Sequence, residues 1–184
     1  IIHYPATKSP SKEGFFDIQQ HCFVIVLHQI KIYISSFAMT FTWENKNNPD
    51  KLKFLEQYDL DTIIKDGKTE FEKQLLLKSW VYATLPDGNP SKDYSQATAF
   101  EILNDAQKGF QFWCTQYTQV FIYSAIAMDF YVRKLGVDSK DPSKDMHHGV
   151  ADIWSSKFKK WYVVDPQANL HYEKDSIPLN SLEI

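Results

Sequence analysis

At 184 residues, 43% hydrophobic and 23% charged, the chain is predicted to form one globular domain with a full hydrophobic core. Its net charge is −3 and Arg133 is its single arginine, which argues against a nucleic-acid partner, because nucleic-acid readers usually present several guanidinium groups. The two cysteines, Cys22 and Cys114, are too few for a disulfide framework, and we expect no bridge between them.

The first 68 residues are predicted to form an irregular lead-in followed by one or two strands. Residues 22–43 are rich in Val, Ile, Phe and Tyr, which favours strands. The apolar stretch from Phe23 is interrupted by His28 and Lys31, so it falls short of a membrane span. Because the chain begins at Ile1 rather than Met, a signal segment could precede it; the compartment stays open, and a secreted or cell-envelope location is favoured. The lysine-rich, arginine-poor composition suggests a bacterial source.

Three helices are predicted next, on either side of a boundary at residue 68. Pro49 opens a short helix through Tyr58, and Thr69 with Glu72 forms a capping box before a helix that runs to Ala83. A further helix is predicted over residues 96–106. Residues 69–184 are predicted to be the core of the fold, with residues 1–68 packed on it in one compact domain.

A central buried helix and a β-hairpin are predicted in the last third of the chain. The segment 112–135 is apolar nearly all round from Val120 to Tyr131, which is typical of a helix in the middle of a fold, and Gly136 is the predicted stop. Two strands follow, at 148–154 and 161–165. The fold class is therefore predicted as α+β, with the buried helix packed on an antiparallel sheet.

Cys114 lies where this buried helix is predicted to begin. The free N–H groups and the dipole of a helix N-terminus favour an anion, so a thiol there is readily converted to a nucleophilic thiolate. A lone cysteine is, however, more often a small core residue. Cys114 alone therefore leaves both interpretations open.

His148 and Asp165 favour the catalytic interpretation. Strand alternation places both on one face of the predicted hairpin. If the turn lies at residues 156–157, His148 is directly opposite Asp165 and Val150 is opposite Val163, close enough for an imidazole–carboxylate hydrogen bond. A register shifted by two residues would make the pair diagonal and still within reach.

His147 is the competing histidine. Alternation puts it on the face opposite Val150 and Asp152, so His148 is the preferred general base. A zinc site would need further ligands at suitable spacing, and the sequence has no His or Cys pair that supplies them. We therefore expect neither a metal nor another cofactor.

Three blocks of sequence together resemble the signature of transglutaminase-like domains. They are Phe112-Trp-Cys-Thr-Gln-Tyr117, His148-Gly-Val-Ala-Asp-Ile-Trp154 and Trp161-Tyr-Val-Val-Asp-Pro166. The resemblance covers roughly residues 69–174, and it implies that residues 69–184 form a transglutaminase-like catalytic core. It implies a transglutaminase-like (papain-like) fold in which a helix-start cysteine, a strand histidine and an aspartate on the neighbouring strand form the triad Cys114, His148 and Asp165.

Two positions depart from the pattern of that superfamily. Phe112 stands two residues before the cysteine, where Gly is common, and Val150 stands two residues after the histidine, where Trp is frequent. Asp152 does match the acidic residue expected four positions after the histidine. The departures leave the triad intact and put substrate recognition in question.

The resemblance implies a thioester-forming hydrolase or acyltransferase that acts on amide bonds of peptides, proteins or glycopeptides. Hydrolysis is favoured because water needs no second binding site. The backbone N–H of Cys114 could donate to an oxyanion, and Trp80, Gln111 and Trp113 are candidates for a second donor. The alternative functions are a non-catalytic peptide- or glycan-binding domain that retains the fold, and a structural envelope domain.

Overall fold

The computed structural model describes residues 48–141, 143–144 and 146–184. All of these residues belong to one compact unit. The predicted lead-in, the strands at 22–43 and Cys22 lie outside the described residues. The domain boundary at residue 68 stays a prediction.

The described chain is a mixed fold of helices followed by an antiparallel sheet. The sheet has four strands in the order β1-β2-β3-β4, and β5 and β6 form a separate pair. No helix in the described ranges has the length and apolar character needed to cross a membrane. The elements are α1 Pro49–Gln57, α2 Leu60–Ile64, α3 Glu70–Thr84, α4 Ala99–Ala106, α5 Cys114–Ala127, β1 Val132–Asp138, β2 His147–Ser155, β3 Lys160–Asp165, β4 Leu170–His171, β5 Glu173–Lys174 and β6 Ile177–Pro178.

The helix starts follow from local capping chemistry. Thr69 caps α3, and Glu72 returns the bond to the Thr69 N–H, which confirms the predicted capping box. α4 begins three residues later than predicted, because Thr98 and Glu101 form a second capping box. Each box satisfies N–H groups that have no partner within the helix.

The predicted end of the central helix at Gly136 is wrong. α5 ends at Ala127, and Gly136 lies in β1, opposite Gly149 of β2. Asp129 takes the left-handed conformation (φ 60°), and the Phe130 N–H donates to Ala125 O at 2.9 Å. This is a Schellman stop with aspartate in the place usually taken by glycine, and it releases the following residues to pair with β2.

The core forms where α5 packs between the other helices and the sheet. Tyr162 of β3 is fully buried and donates its hydroxyl to Gln74 Oε1 at 2.9 Å, while Gln74 Nε2 donates to Trp154 O at 2.9 Å. Gln74 thereby ties α3 to both strands of the hairpin without leaving a buried amide unpaired. Fully buried core residues include Phe54, Leu60, Leu77, Val81, Ile102, Phe112, Val120, Phe121, Ala125, Ala151, Ile153 and Val164.

Candidate active site

The β2–β3 hairpin has the predicted faces but a different register. Asp152 pairs with Val163 and Trp154 with Trp161, so the two strands share the face that alternation predicted. The predicted pairing of Val150 with Val163 is wrong. The turn contains residues 156–159 instead of two residues, with Lys159 left-handed at φ 54°, and this moves the ladder by two positions. The paired ladder ends at Ala151 and Val164. The next pair in the same register would be Val150 and Asp165, so His148 lies diagonally across from Asp165.

The diagonal pair forms a hydrogen bond. His148 Nε2 lies 2.6 Å from Asp165 Oδ2, within hydrogen-bond distance. The Asp165 side chain is 5% exposed and the His148 side chain 40% exposed. The other carboxylate oxygen, Asp165 Oδ1, accepts the Ala168 N–H at 3.0 Å. The carboxylate is thus fixed at both oxygens, and the Nδ1 atom of His148 is left for another partner.

Cys114 is the first residue of α5 and a free, half-buried thiol. At that position its N–H has no acceptor within the helix. Gln116 Oε1 accepts the Trp113 N–H at 3.2 Å, and this capping bond fixes the first turn of the helix, in which the cysteine lies. The structure therefore confirms that Cys114 begins a helix, the position in which a thiolate is stabilised.

The first turn of α5 lies directly against β2 at Gly149, the residue after His148. A Cβ on Gly149 would lie 3.5 Å from the Thr115 backbone nitrogen, and Thr118 Oγ1 donates to Gly149 O at 2.9 Å. The residue after Cys114 thus contacts the residue after His148. A Cβ alone would lie at ordinary van der Waals distance from the helix, so it is a side chain larger than that of alanine that this approach disfavours.

The structure joins two of the three predicted site residues by a hydrogen bond, and the third, Cys114, has no hydrogen bond to them in the described ranges. His148 and Asp165 are in direct contact, whereas within the described ranges no hydrogen bond joins Cys114 Sγ to His148 or to His147. Bonds between catalytic groups often tighten only when substrate is bound. The triad as a unit stays a prediction.

His147 has its own carboxylate partner, on the opposite side of the strand. His147 Nδ1 lies 2.6 Å from Asp138 Oδ1, and the two side chains are 52% and 76% exposed. A contact between side chains this exposed contributes little to stability, because solvent competes for both groups. The buried partner of His148 is the feature that distinguishes the two histidines.

A loop at residues 85–89 connects the start of α5 to the turn after β3. Phe112 N–H donates to Pro86 O at 2.9 Å, and Gln167 Nε2 donates to Asp87 Oδ1 at 2.6 Å. Trp113, 56% exposed, donates its Nε1 to Asn89 Oδ1 at 3.1 Å. The partners in these bonds lie too far apart along the chain for any local sequence pattern to reveal them.

The three candidates for a second oxyanion donor differ in their surroundings. Trp113 uses its ring N–H on Asn89, and Trp80 packs among the helices with its ring 6.2 Å from Tyr58. The Gln111 side chain lies against Gly88, within 2.5 Å of where a Cβ would be. The backbone N–H of Cys114 is accordingly the donor with the best-defined position.

Asp152 belongs to a separate ion pair in the sheet. Its Oδ2 accepts from Arg133 Nη2 at 2.7 Å, and the Arg133 guanidinium lies 4.5 Å from the centre of the Trp161 ring. Burial raises the pKa of Asp152, and the Arg133 charge opposes that shift. Four residues along a strand span about 13 Å, so Asp152 is too far along β2 to contact His148 directly.

No protein-family model and no curated protein matches this chain. Among solved structures, it is similar to a candidate cysteine protease from Cytophaga hutchinsonii, with a TM-score of 0.49 and 18% sequence identity. The match covers 67% of this chain and 44% of that protein's chain. A similarity of this extent assigns neither a family nor an activity, and the resemblance to transglutaminase-like domains stays a prediction.

Proposed function

We propose that this chain is a cysteine-dependent amide hydrolase that works through a thioester, with Cys114 as nucleophile, His148 as general base and acid, and Asp165 as the group that orients His148. The observation that carries the proposal is the 2.6 Å bond between His148 Nε2 and Asp165 Oδ2, one residue away from the contact between β2 and the start of α5. That bond fixes the imidazole so that Nδ1 is the nitrogen available to a thiol.

The reaction would follow from these roles. His148 takes the thiol proton, and the Cys114 sulfur bonds to the carbonyl carbon of the amide. The Cys114 N–H donates to the oxyanion, and the carbon–nitrogen bond breaks as His148 returns the proton to the leaving amine. Water then attacks the thioester with His148 again as base, which releases a carboxylic acid and restores the thiol.

The proposed substrates are amides of peptides, proteins or glycopeptides, and water is the proposed acceptor. Hydrolysis requires no second organic substrate beside the thioester. Trp113 is the large exposed side chain next to the nucleophile and could contact the acyl donor. Transfer to an amine is the competing outcome for the same intermediate.

Alkylation of Cys114 tests the proposed site without a known substrate. Iodoacetamide labelling, read by peptide mapping so that Cys22 is scored separately, should be fast in the parent chain. His148→Ala should slow labelling of Cys114 at neutral pH by about tenfold or more, because the thiol then lacks its base. His147→Ala is the matched control, since it removes the neighbouring imidazole and its Asp138 contact while leaving Asp165 in place.

The labelling rates of the parent chain and the two variants distinguish the proposed enzyme from its alternatives. Equal labelling of the parent and His148→Ala would contradict the proposal and favour a binding domain that only retains the fold. Slowing by His147→Ala alone would assign the base to His147. Incubation of mixed peptides with an amine donor then separates the reactions: new carboxylic acids support hydrolysis, and predominant crosslinks contradict it.

A further inference from the structure

Behind the His148–Asp165 pair lies a contact between α3 and the turn that follows β3. Lys78 is 5% exposed, and its Nζ donates to the backbone oxygen of Asn169 at 2.6 Å, across 91 residues of sequence. The next residue of the helix, Ser79, places Oγ 3.1 Å from Asn169 Oδ1. Two consecutive helix residues therefore hold one turn residue by both its backbone and its side chain.

The held residue ends the turn that fixes Asp165. This turn comprises residues 165–169, and within it Ala168 donates its N–H to Asp165 Oδ1. Asn169 closes it in the left-handed conformation, φ 55°, which asparagine tolerates better than most residues. Displacement of Asn169 would therefore move Ala168 and remove one of the two bonds that orient the carboxylate.

A buried lysine bound to a neutral carbonyl needs compensation for its lost hydration. Burial lowers the pKa of Lys78, and the nearby Asp165 carboxylate opposes that shift. Lys78 is thus coupled to Asp165 electrostatically as well as through the turn. Nothing in the proposed reaction requires Lys78 to touch the substrate.

We propose that Lys78, through Asn169, is a positioning residue that holds Asp165 on His148. This inference rests on the function proposed above. It predicts that Lys78 affects Cys114 only by way of the His148–Asp165 pair, so its effect should vanish when that pair is already broken.

A double-mutant cycle measures this dependence. Lys78→Met is made in the parent chain and in Asp165→Asn, and the rate of Cys114 alkylation is mapped in all four proteins. We expect Lys78→Met to slow labelling several-fold in the parent and to add no further slowing in Asp165→Asn. Lys51→Met is the matched control, because Lys51 is also 5% exposed and has a partner, Asp129, at 3.0 Å outside the site.

The outcomes separate this inference from the proposed function. Equal slowing by Lys78→Met with and without the Asp165 carboxylate, or no slowing in either, overturns the positioning role. Parent-like labelling of Asp165→Asn and His148→Ala instead overturns the proposed function. If Lys78→Met does not fold, Lys78→Gln replaces it in the same cycle, since the shorter, neutral side chain gives up the contact of Nζ with the Asn169 backbone oxygen and keeps a polar group in the buried site.

Discussion

His148 and Asp165 meet diagonally across the β2–β3 ladder, with the imidazole Nε2 atom 2.6 Å from a carboxylate oxygen that is almost fully buried. The neighbouring residue His147 makes a contact of the same length to Asp138, in solvent. Two adjacent histidines thus each contact an aspartate, one buried and the other exposed to solvent. Substitution of each aspartate in turn compares what the two contacts contribute to the reactivity of Cys114.

Asp165→Asn should slow alkylation of Cys114 at neutral pH by about tenfold, because an amide no longer stabilises the imidazolium that forms when His148 takes the thiol proton. Asp138→Asn is its matched control and should label at the parent rate, since Asp138 contacts His147. The measurement is the second-order rate of iodoacetamide labelling. Identical rates for the two variants would remove Asp165 from the site.

Gly149→Ala and Gly149→Val should behave differently. An alanine Cβ would lie 3.4 Å from Thr118 Oγ1, an ordinary van der Waals contact, so we expect little change in stability. The two added methyl groups of valine must displace the first turn of α5, at a cost of about 1–3 kcal/mol in the free energy of unfolding. Urea denaturation measures the cost. Equal stability of both variants would mean that β2 does not need a close approach to α5 at this position.

Tyr162→Phe should destabilise the chain by about 1–2 kcal/mol, because the buried Gln74 Oε1 then loses its donor while Gln74 Nε2 remains bound to Trp154 O. Tyr82, which is 49% exposed, gives the control variant Tyr82→Phe. The free energy of unfolding is measured in urea for both. A loss no larger in Tyr162→Phe than in the control would show that the Gln74 contact contributes nothing to stability.

Asp105 should contribute to the acid sensitivity of the fold. Hydrogen bonds from Lys92 and Lys108 lower its pKa from 3.8 to about 2. A carboxyl whose pKa is lower in the folded chain stabilises it above the unfolded value, and this contribution is lost as the pH falls from about 4 to about 2. Asp105→Asn should therefore show a shallower loss of stability over that range. Parallel loss in the parent and the variant would contradict this assignment.

Features set by neighbouring residues were predictable from the sequence. The Thr69–Glu72 capping box and the two hairpin strands depend on contacts a few residues apart, and both are present in the structure. Cys114 was correctly placed at a helix start. The shared face of His148 and Asp165 followed from strand alternation, because the predicted and the observed registers differ by two residues and a shift of two leaves each side chain on the same face.

The errors arose where pairing between elements decided the outcome. Apolar residues continue past Ala127, so periodicity gave no sign that β1 would begin at Val132. Aspartate at position 129 was an unrecognised helix stop. The contact of Lys78 with Asn169 spans 91 residues and leaves no local pattern at either end.

The close contact of Gly149 with α5 also favours His148 over His147 as the histidine that faces Asp165. Side chains alternate along a strand, so a one-residue slide of β2 that brought His147 to the place of His148 would bring His148 to the place of Gly149. The imidazole of His148 would then point at the first turn of α5, where even the Cβ of a residue replacing Gly149 would lie 3.5 Å from the Thr115 backbone nitrogen. Glycine at this position therefore disfavours the shifted alignment, because that alignment would place a bulky ring against the helix.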